Sequence, residues 1–101
     1  MVSTTLNWKS DASTLVLDGD LDRETLLPLW QQRETLLQGK TVLDMSQVNR
    51  VDSSGLALLV HFYHQQQQNG VALQITGVSD RLKTLIELYS LDKIIPIQLI
   101  S

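Results

Sequence analysis

The stretch from Val51 to Tyr63 most constrains how this chain can fold. It opens with a polar tetrapeptide, Asp52-Ser53-Ser54-Gly55, and continues at once into an apolar run. Small oxygen-bearing side chains before an apolar run are typical of a helix start, because they accept hydrogen bonds from the unpaired N–H groups of the first turn. A helix start also favours anions, through those N–H groups and the helix dipole. An exposed Ser53 or Ser54 is therefore interpreted as a cap, as a hydrogen-bonding contact for a partner, or as a phosphate acceptor.

The helix predicted behind this tetrapeptide is apolar on more than one side. One stripe with helical spacing faces the sheet and contains Leu56, Leu59, Val60 and Tyr63. Leu58 and Phe62 lie four residues apart on roughly the opposite side. A helix that is apolar all round is expected to be buried all round. Leu58 and Phe62 therefore either pack under a neighbouring helix or belong to a docking surface beside the serines.

Size and charge narrow the class of protein. A chain of 101 residues is expected to form one domain, residues 1–101. Its net charge of −3 provides no basic patch, so no nucleic acid partner is expected. No stretch approaches the roughly 20 apolar residues of a membrane span, so no direct membrane insertion is expected either. The N-terminus lacks the features of a secretory signal, and the chain has no cysteine. We expect a soluble cytoplasmic domain.

The remaining chain alternates strands and helices. The predicted strands are Thr4–Trp8 and Thr14–Leu17, joined as a hairpin by a five-residue loop, then Thr41–Met45, Val71–Thr76 and the run Ile94–Leu99. Pro96 makes the last run an edge strand or a loosely paired tail. The first predicted helix begins between Asp22 and Thr25 and runs to Gln38. The second begins at the polar tetrapeptide and ends at Asn69-Gly70, and the third begins at Ser79-Asp80.

This order, ββαβαβαβ, predicts an α/β fold. Strands joined by helical crossovers are expected to be parallel, and the N-terminal hairpin adds an antiparallel pair. We expect a mixed sheet of four or five strands with three helices, one face of the sheet being thinly covered. Asp52–Gly55 then follows the carboxyl end of the Thr41–Met45 strand, where open α/β sheets usually place their functional sites.

Catalytic and metal-binding patterns are weak in this sequence. The nucleophile pattern G-x-S-x-G does not surround Ser53. His61 lies eight residues further along the same predicted helix, about 12 Å away and beyond the reach of a general base. His61 and His64 share a helix face but lack further ligands for a metal, and we interpret them as solvent-facing. We expect no catalytic residue, no metal and no cofactor.

Trp30 has two interpretations in the first predicted helix. It is either a core residue or an anchor at the rim of an interface, where tryptophan is enriched. The pattern of the helix does not decide between them.

Several segments together resemble one family. Val51–Leu56 resembles the D-[ST]-[SG]-G-L motif of STAS domains, the fold of bacterial anti-sigma-factor antagonists. Gly19-Asp20-Leu21-Asp22 resembles the G-[ED]-L-D element before their first helix. Ser46–Arg50 and Gly77–Leu91 are similar to the turn before the motif and to the closing segment. The resemblance covers nearly the whole chain and implies the STAS fold.

Within that family the chain most resembles the small STAS subunits of phospholipid ABC transporters. Leu26–Trp30, Arg50–Asp52 and Gly55–His61 carry this closer match. The resemblance implies a non-enzymatic subunit that docks on the cytoplasmic ATPase of an inner-membrane complex maintaining outer-membrane lipid asymmetry. The resemblance and the second apolar side of the helix together imply a set of partner-binding residues. These are Asp52, Ser53, Ser54, Gly55, Leu58 and Trp30.

A second hypothesis follows from the same motif. The phosphorylated position of the antagonists falls on Ser53, which implies a switch controlled by an anti-sigma kinase. Transporter subunits often read D-T-G-G, whereas this chain reads Asp52-Ser53-Ser54-Gly55, which is more like the antagonists. Phosphorylation of Ser53 therefore stays open at this point.

Overall fold

The computed structural model describes residues 6–96 and residue 100. In chain order its strands and helices are β1 (Leu6–Asp11), β2 (Thr14–Leu21), α1 (Leu26–Gln31), α2 (Arg33–Leu36), β3 (Val42–Val51), α3 (Ser53–Gln68), β4 (Gln74–Thr76), α4 (Asp80–Leu88) and a 3₁₀ turn (Leu91–Lys93). The beginning of the predicted Thr4–Trp8 strand and residues 97–99 of the predicted last strand lie outside the described residues.

The described strands form one mixed sheet in the order β1-β2-β3-β4. β1 and β2 are antiparallel, whereas β3 runs parallel to both β2 and β4. The predicted α/β class and mixed pairing are therefore confirmed. The hairpin loop is shorter than predicted, because β1 extends to Asp11 and only Ala12-Ser13 separates it from β2. Ala12 adopts the left-handed conformation that this tight turn needs, with φ of 52°.

The described part of the predicted last strand does not form a strand. After the 3₁₀ turn, Ile94–Pro96 forms no strand. Ile100 makes an isolated parallel bridge to Ile75 in β4. Before it, the N–H of Ile95 donates to the carbonyl of Leu91, and Pro96 has no N–H to donate to a ladder.

One face of the sheet carries the core. Leu15, Leu17, Leu43 and Ile75 point to the same side and are fully buried in a cluster with residues of α3 and α4. On the opposite side, the alternating positions of β2, β3 and β4 are half-buried or exposed, among them Val16 and Gln74. The helices therefore cover one face, as the small number of predicted helices suggested.

The first predicted helix is two short helices instead of one. α1 ends at Gln31, and Gln32 has non-helical backbone angles of φ −102° and ψ 7°. The N–H of Gln32 bonds the carbonyl of Leu29, three residues back, so the chain turns before α2 begins. This bend ends α1 just after Trp30, which holds that side chain at the rim of the helical layer, half-buried.

β3 is twice as long as predicted. Ser46–Arg50 was interpreted as a connection, but it continues the strand because it pairs with the second half of β2, from Asp18 to Leu21. The Gly19–Leu21 segment, which lies beyond the predicted Thr14–Leu17 strand, belongs to β2 as well. Two register shifts and the φ of 114° at Gly19 accommodate this pairing. The longer strand ends at Val51, directly before Asp52.

α3 is buried on two sides, and this decides the alternatives for Leu58 and Phe62. Leu58 is 2% exposed and Phe62 is fully buried. Gln66 continues the same face, and its side-chain amide donates to the carbonyls of Leu37 (2.8 Å) and Lys40 (2.6 Å) at the end of α2. This face therefore lies against the α1–α2 segment. The prediction that Leu58 contacts a partner is wrong, because the side chain is part of the core.

The turn between β4 and α4 requires glycine at position 77. Gly77 has φ of 69°, and a Cβ there would lie 2.5 Å from the backbone nitrogen of Ser46. Gly70, after α3, has a similar φ of 80° but no atom within 4 Å of such a Cβ. We expect Gly70→Ala to lower the free energy of unfolding by about 1–2 kcal/mol from backbone strain alone. Gly77→Ala should cost about 1–3 kcal/mol more, because β3 must shift.

Urea unfolding of the two variants beside the unchanged protein measures this difference. Equal losses for Gly70→Ala and Gly77→Ala would contradict the close approach of Gly77 to β3.

Candidate docking site at the start of helix α3

Asp52 is the residue that joins the start of α3 to the rest of the fold. Its Oδ1 caps the helix by accepting the N–H of Gly55 at 2.9 Å. Its Oδ2 accepts a longer hydrogen bond, 3.4 Å, from the N–H of Arg23 before α1. Its own N–H donates to the carbonyl of Leu21 at the end of β2. This one residue, through its side chain and its backbone N–H, thus holds together a helix, a strand end and the loop that follows the strand.

Gly55 allows α3 to approach β2 this closely. A Cβ at this position would lie 2.6 Å from the carbonyl oxygen of Leu21 and 2.9 Å from a methyl group of Val51. Backbone angles do not explain this glycine, because its φ is not positive. The lack of space explains why glycine is needed here, since any side chain would push the start of α3 away from the sheet.

The loop that meets Asp52 is a tight polar turn. Asp22 Oδ1 accepts the N–H groups of Glu24 (2.9 Å) and Thr25 (3.1 Å). Thr25 in turn donates its hydroxyl to the carbonyl of Asp20 at 2.7 Å. The Gly19–Asp22 and Asp52–Gly55 segments, about 30 positions apart in sequence, are therefore neighbours in the fold.

The two serines are left with different surroundings. Asp52 is the cap, so capping does not account for Ser53, whose side chain is exposed on the first residue of α3. Ser54 is half-buried. The structure therefore leaves the Ser53 hydroxyl accessible to a partner or to a modifying enzyme.

Trp30 lies beside α3 in a defined orientation. The guanidinium of Arg33 stacks over its ring, with Cζ 3.8 Å from the ring centroid, and also donates to the Trp30 carbonyl. His61 of α3 meets the ring edge-on, with centroids 5.1 Å apart and an interplanar angle of 68°. These contacts hold a half-buried indole at the surface. Trp30 therefore has the rim position that an interface anchor needs.

In the first half of α3, from Ser53 to His61, the exposed residues form a narrow face. Ser53, Ala57 and His61 are exposed and follow one another at four-residue spacing, on one side of the helix. We call these three residues, together with Trp30 beside His61, the α3 docking face. Sequence reasoning missed Ala57 and His61 as members of it. The four-residue spacing of small or polar residues within an otherwise apolar helix was the signal that could have found them.

Two further properties restrict the chemistry of this region. Across residues 6–96 and 100, no three histidine, cysteine or acidic side chains come together as a metal site would need. No helix in that part of the chain is long and apolar enough to cross a membrane.

Comparison with known proteins agrees with this fold. A family model described as "Mlab, STAS domain" matches residues 4–99, and the chain belongs to this STAS-domain family. A protein of Escherichia coli (strain K12) is 43% identical over 90 residues, covering 89% of this chain and 93% of its own. A protein of Haemophilus influenzae is 35% identical over 96 residues, covering 85% and 91%. Both are named intermembrane phospholipid transport system binding protein MlaB.

Solved structures show the same fold at low sequence identity. A sulfate transporter family protein from Wolinella succinogenes has a TM-score of 0.73 at 20% identity, over 87% of this chain and 74% of its own. The anti-sigma factor antagonist SpoIIAA in its unphosphorylated form has a TM-score of 0.61 at 15% identity, over 91% and 97%. SpoIIAA has also been solved in the phosphorylated form.

The junction at Asp52 generates a stability prediction. Asp52→Ala removes the acceptor for both Gly55 and Arg23, and we expect it to lower the free energy of unfolding by about 1–2 kcal/mol. Asp52→Asn keeps one carbonyl acceptor for the helix cap and should lose less. Ser53→Ala, next to it but exposed, should lie within about 0.5 kcal/mol of the unchanged protein.

Denaturant unfolding followed by circular dichroism compares the three variants. A Ser53→Ala loss as large as that of Asp52→Ala would mean that the serine, and not Asp52, holds the start of α3.

Proposed function

We propose that this chain is a non-enzymatic regulatory or assembly subunit of an ABC transporter for phospholipid trafficking. The relatives named as binding proteins of a phospholipid transport system support this, since they match most of the chain at 43% and 35% identity. The partner in this proposal is the cytoplasmic ATPase of the transporter. The chain is attached to the inner membrane through that protein contact.

The α3 docking face is the observation that carries the proposal. Small exposed side chains at Ser53 and Ala57 let another protein approach the helix backbone closely. Trp30 lies at one end of the face, oriented by Arg33 and His61. Interfaces take most of their binding energy from a few such anchors, tryptophan and arginine among the most frequent. In this proposal Asp52 and Gly55 position the face and do not themselves provide much contact area.

A charge placed at Ser53 tests this surface directly. Ser53→Glu would bury an unpaired carboxylate in the complex, at a cost of about 2–5 kcal/mol. We therefore expect affinity for the ATPase to fall by about thirtyfold or more. Gln67→Glu is the matched control, because it makes the same charge change on an exposed position of α3 about 21 Å further along the helix. It should bind like the unchanged protein.

Binding to the purified ATPase is measured by calorimetry or by co-purification of the complex. If Ser53→Glu binds as tightly as Gln67→Glu, the start of α3 is not at the interface.

A phosphorylation switch is the second candidate function. It is favoured by the exposure of the Ser53 hydroxyl at the first position of α3. Phosphate there adds up to about −2 charge and three acceptor oxygens, enough to exclude a partner from the docking face. Under this hypothesis the partner is an anti-sigma kinase.

Incubation with candidate kinases and ATP, followed by intact mass measurement, tests the switch. The switch predicts the mass of one phosphate on the unchanged protein and none on Ser53→Ala. An unmodified chain, or equal modification of both proteins, would remove the hypothesis.

A further inference from the structure

A cavity of about 320 Å³ lies between the end of β3, the start of α3 and helix α4. Small-molecule sites in proteins occupy about 300–1,000 Å³, so this cavity is at the lower end of that range. Nothing in the proposed docking on an ATPase requires a cavity at this place. The residues that line the cavity are the reason to expect a ligand there.

The floor of the cavity is apolar and contributed by three elements. Met45 from β3, Leu56 from α3 and Leu82 from α4 line it and are buried in the core. Val48 and Leu85 extend this floor and are half-buried. Such a floor favours a hydrocarbon group over water, because a bound hydrocarbon removes apolar surface from water.

The rim of the cavity is cationic and hydroxylated. Arg50 at the end of β3 and Arg81 in α4 both line the cavity with exposed side chains. Tyr89 lines it too and is 54% exposed. The carboxylate in the lining is that of Asp52, whose oxygens already accept the N–H groups of Gly55 and Arg23.

We propose that this cavity binds a single-chain amphiphile with an anionic head group, such as a fatty acid or a lysophospholipid. The chain lies on the floor of Met45, Leu56 and Leu82. The head group, a carboxylate or a phosphate, lies between the guanidinium groups of Arg50 and Arg81, which bind both kinds of oxyanion well. A small inorganic anion would leave the apolar floor hydrated, and a neutral apolar group would leave the two arginines without a counter-charge.

The site adjoins the α3 docking face, because Ser53 belongs to both. An amphiphile in the cavity would therefore lie at the edge of the surface proposed to meet the ATPase. The ligand site itself does not depend on that partner, since every lining residue belongs to this chain. Its test uses the purified protein alone, so failure here leaves the proposed ATPase docking untouched.

Calorimetric titration below the critical micelle concentration tests the proposal with four probes. Decanoate and decyl phosphate carry the chain with a carboxylate or a phosphate head, inorganic phosphate lacks the chain, and decyl maltoside lacks the charge. We expect saturable binding of at least one of the two anionic amphiphiles and at least about tenfold weaker binding of the other two probes. Comparison of decanoate with decyl phosphate identifies the preferred head group.

Variants locate the binding. Arg50→Gln and Arg81→Gln should each weaken binding of the anionic amphiphile about tenfold, by removal of a charge-assisted hydrogen bond. Lys83→Gln is the matched control, because it removes the same charge from an exposed position of α4 that lies outside the cavity lining. It should bind normally. Circular dichroism verifies that all three variants are folded.

Three results would overturn the proposal. The first is no saturable binding of either anionic amphiphile. The second is equally tight binding of decyl maltoside, which would mean that the cavity binds any apolar group, including a side chain of a protein partner. The third is a Lys83→Gln loss equal to that of the arginine variants, which would indicate non-specific adsorption by positive charge.

Discussion

The hydrogen bonds of the Asp52 carboxylate are the interaction on which the rest of this structure depends. They tie the start of α3 to the loop before α1, while the backbone N–H of Asp52 holds the end of β2. Gly55 then brings the helix against the strand without a side chain between them. Because the polar groups at this junction hydrogen-bond one another, the start of α3 is held firmly at the carboxyl ends of β2 and β3.

That rigidity determines what α3 can offer a partner. The sides of the helix that carry Leu56, Leu58 and Phe62 are committed to the core. Gln66 fixes the far end of the helix by bonding the last carbonyls of the α2 region. In the first half of α3 the exposed side is the narrow face from Ser53 to His61, with Trp30 beside it, and His64, Gln67 and Gln68 are exposed further along the helix. A surface held this firmly loses little conformational entropy on binding, which favours recognition by a few residues.

The sequence was most informative where pattern and tertiary structure agree. α3 and α4 begin close to the polar residues that predict them, since their N-caps, Asp52 and Ser79, bond the first turn. The length of β3 could not be predicted, because Ser46–Arg50 is polar and becomes a strand only by pairing with β2. The burial of Leu58 was equally open, because it depends on where the α1–α2 segment packs. The cavity near Arg50 and Arg81 joins residues from distant segments and was not foreseen.

Site-specific photo-crosslinking tests the central claim most directly. A benzophenone amino acid is placed at Ala57, in the middle of the α3 docking face, and in a second variant at Lys9, on an exposed position of β1. The account predicts that Ala57 crosslinks to an ABC ATPase in cells of the native organism and that Lys9 does not. Crosslinking to the ATPase from Lys9 but not from Ala57, or crosslinking of Ala57 only to an anti-sigma kinase, would contradict it.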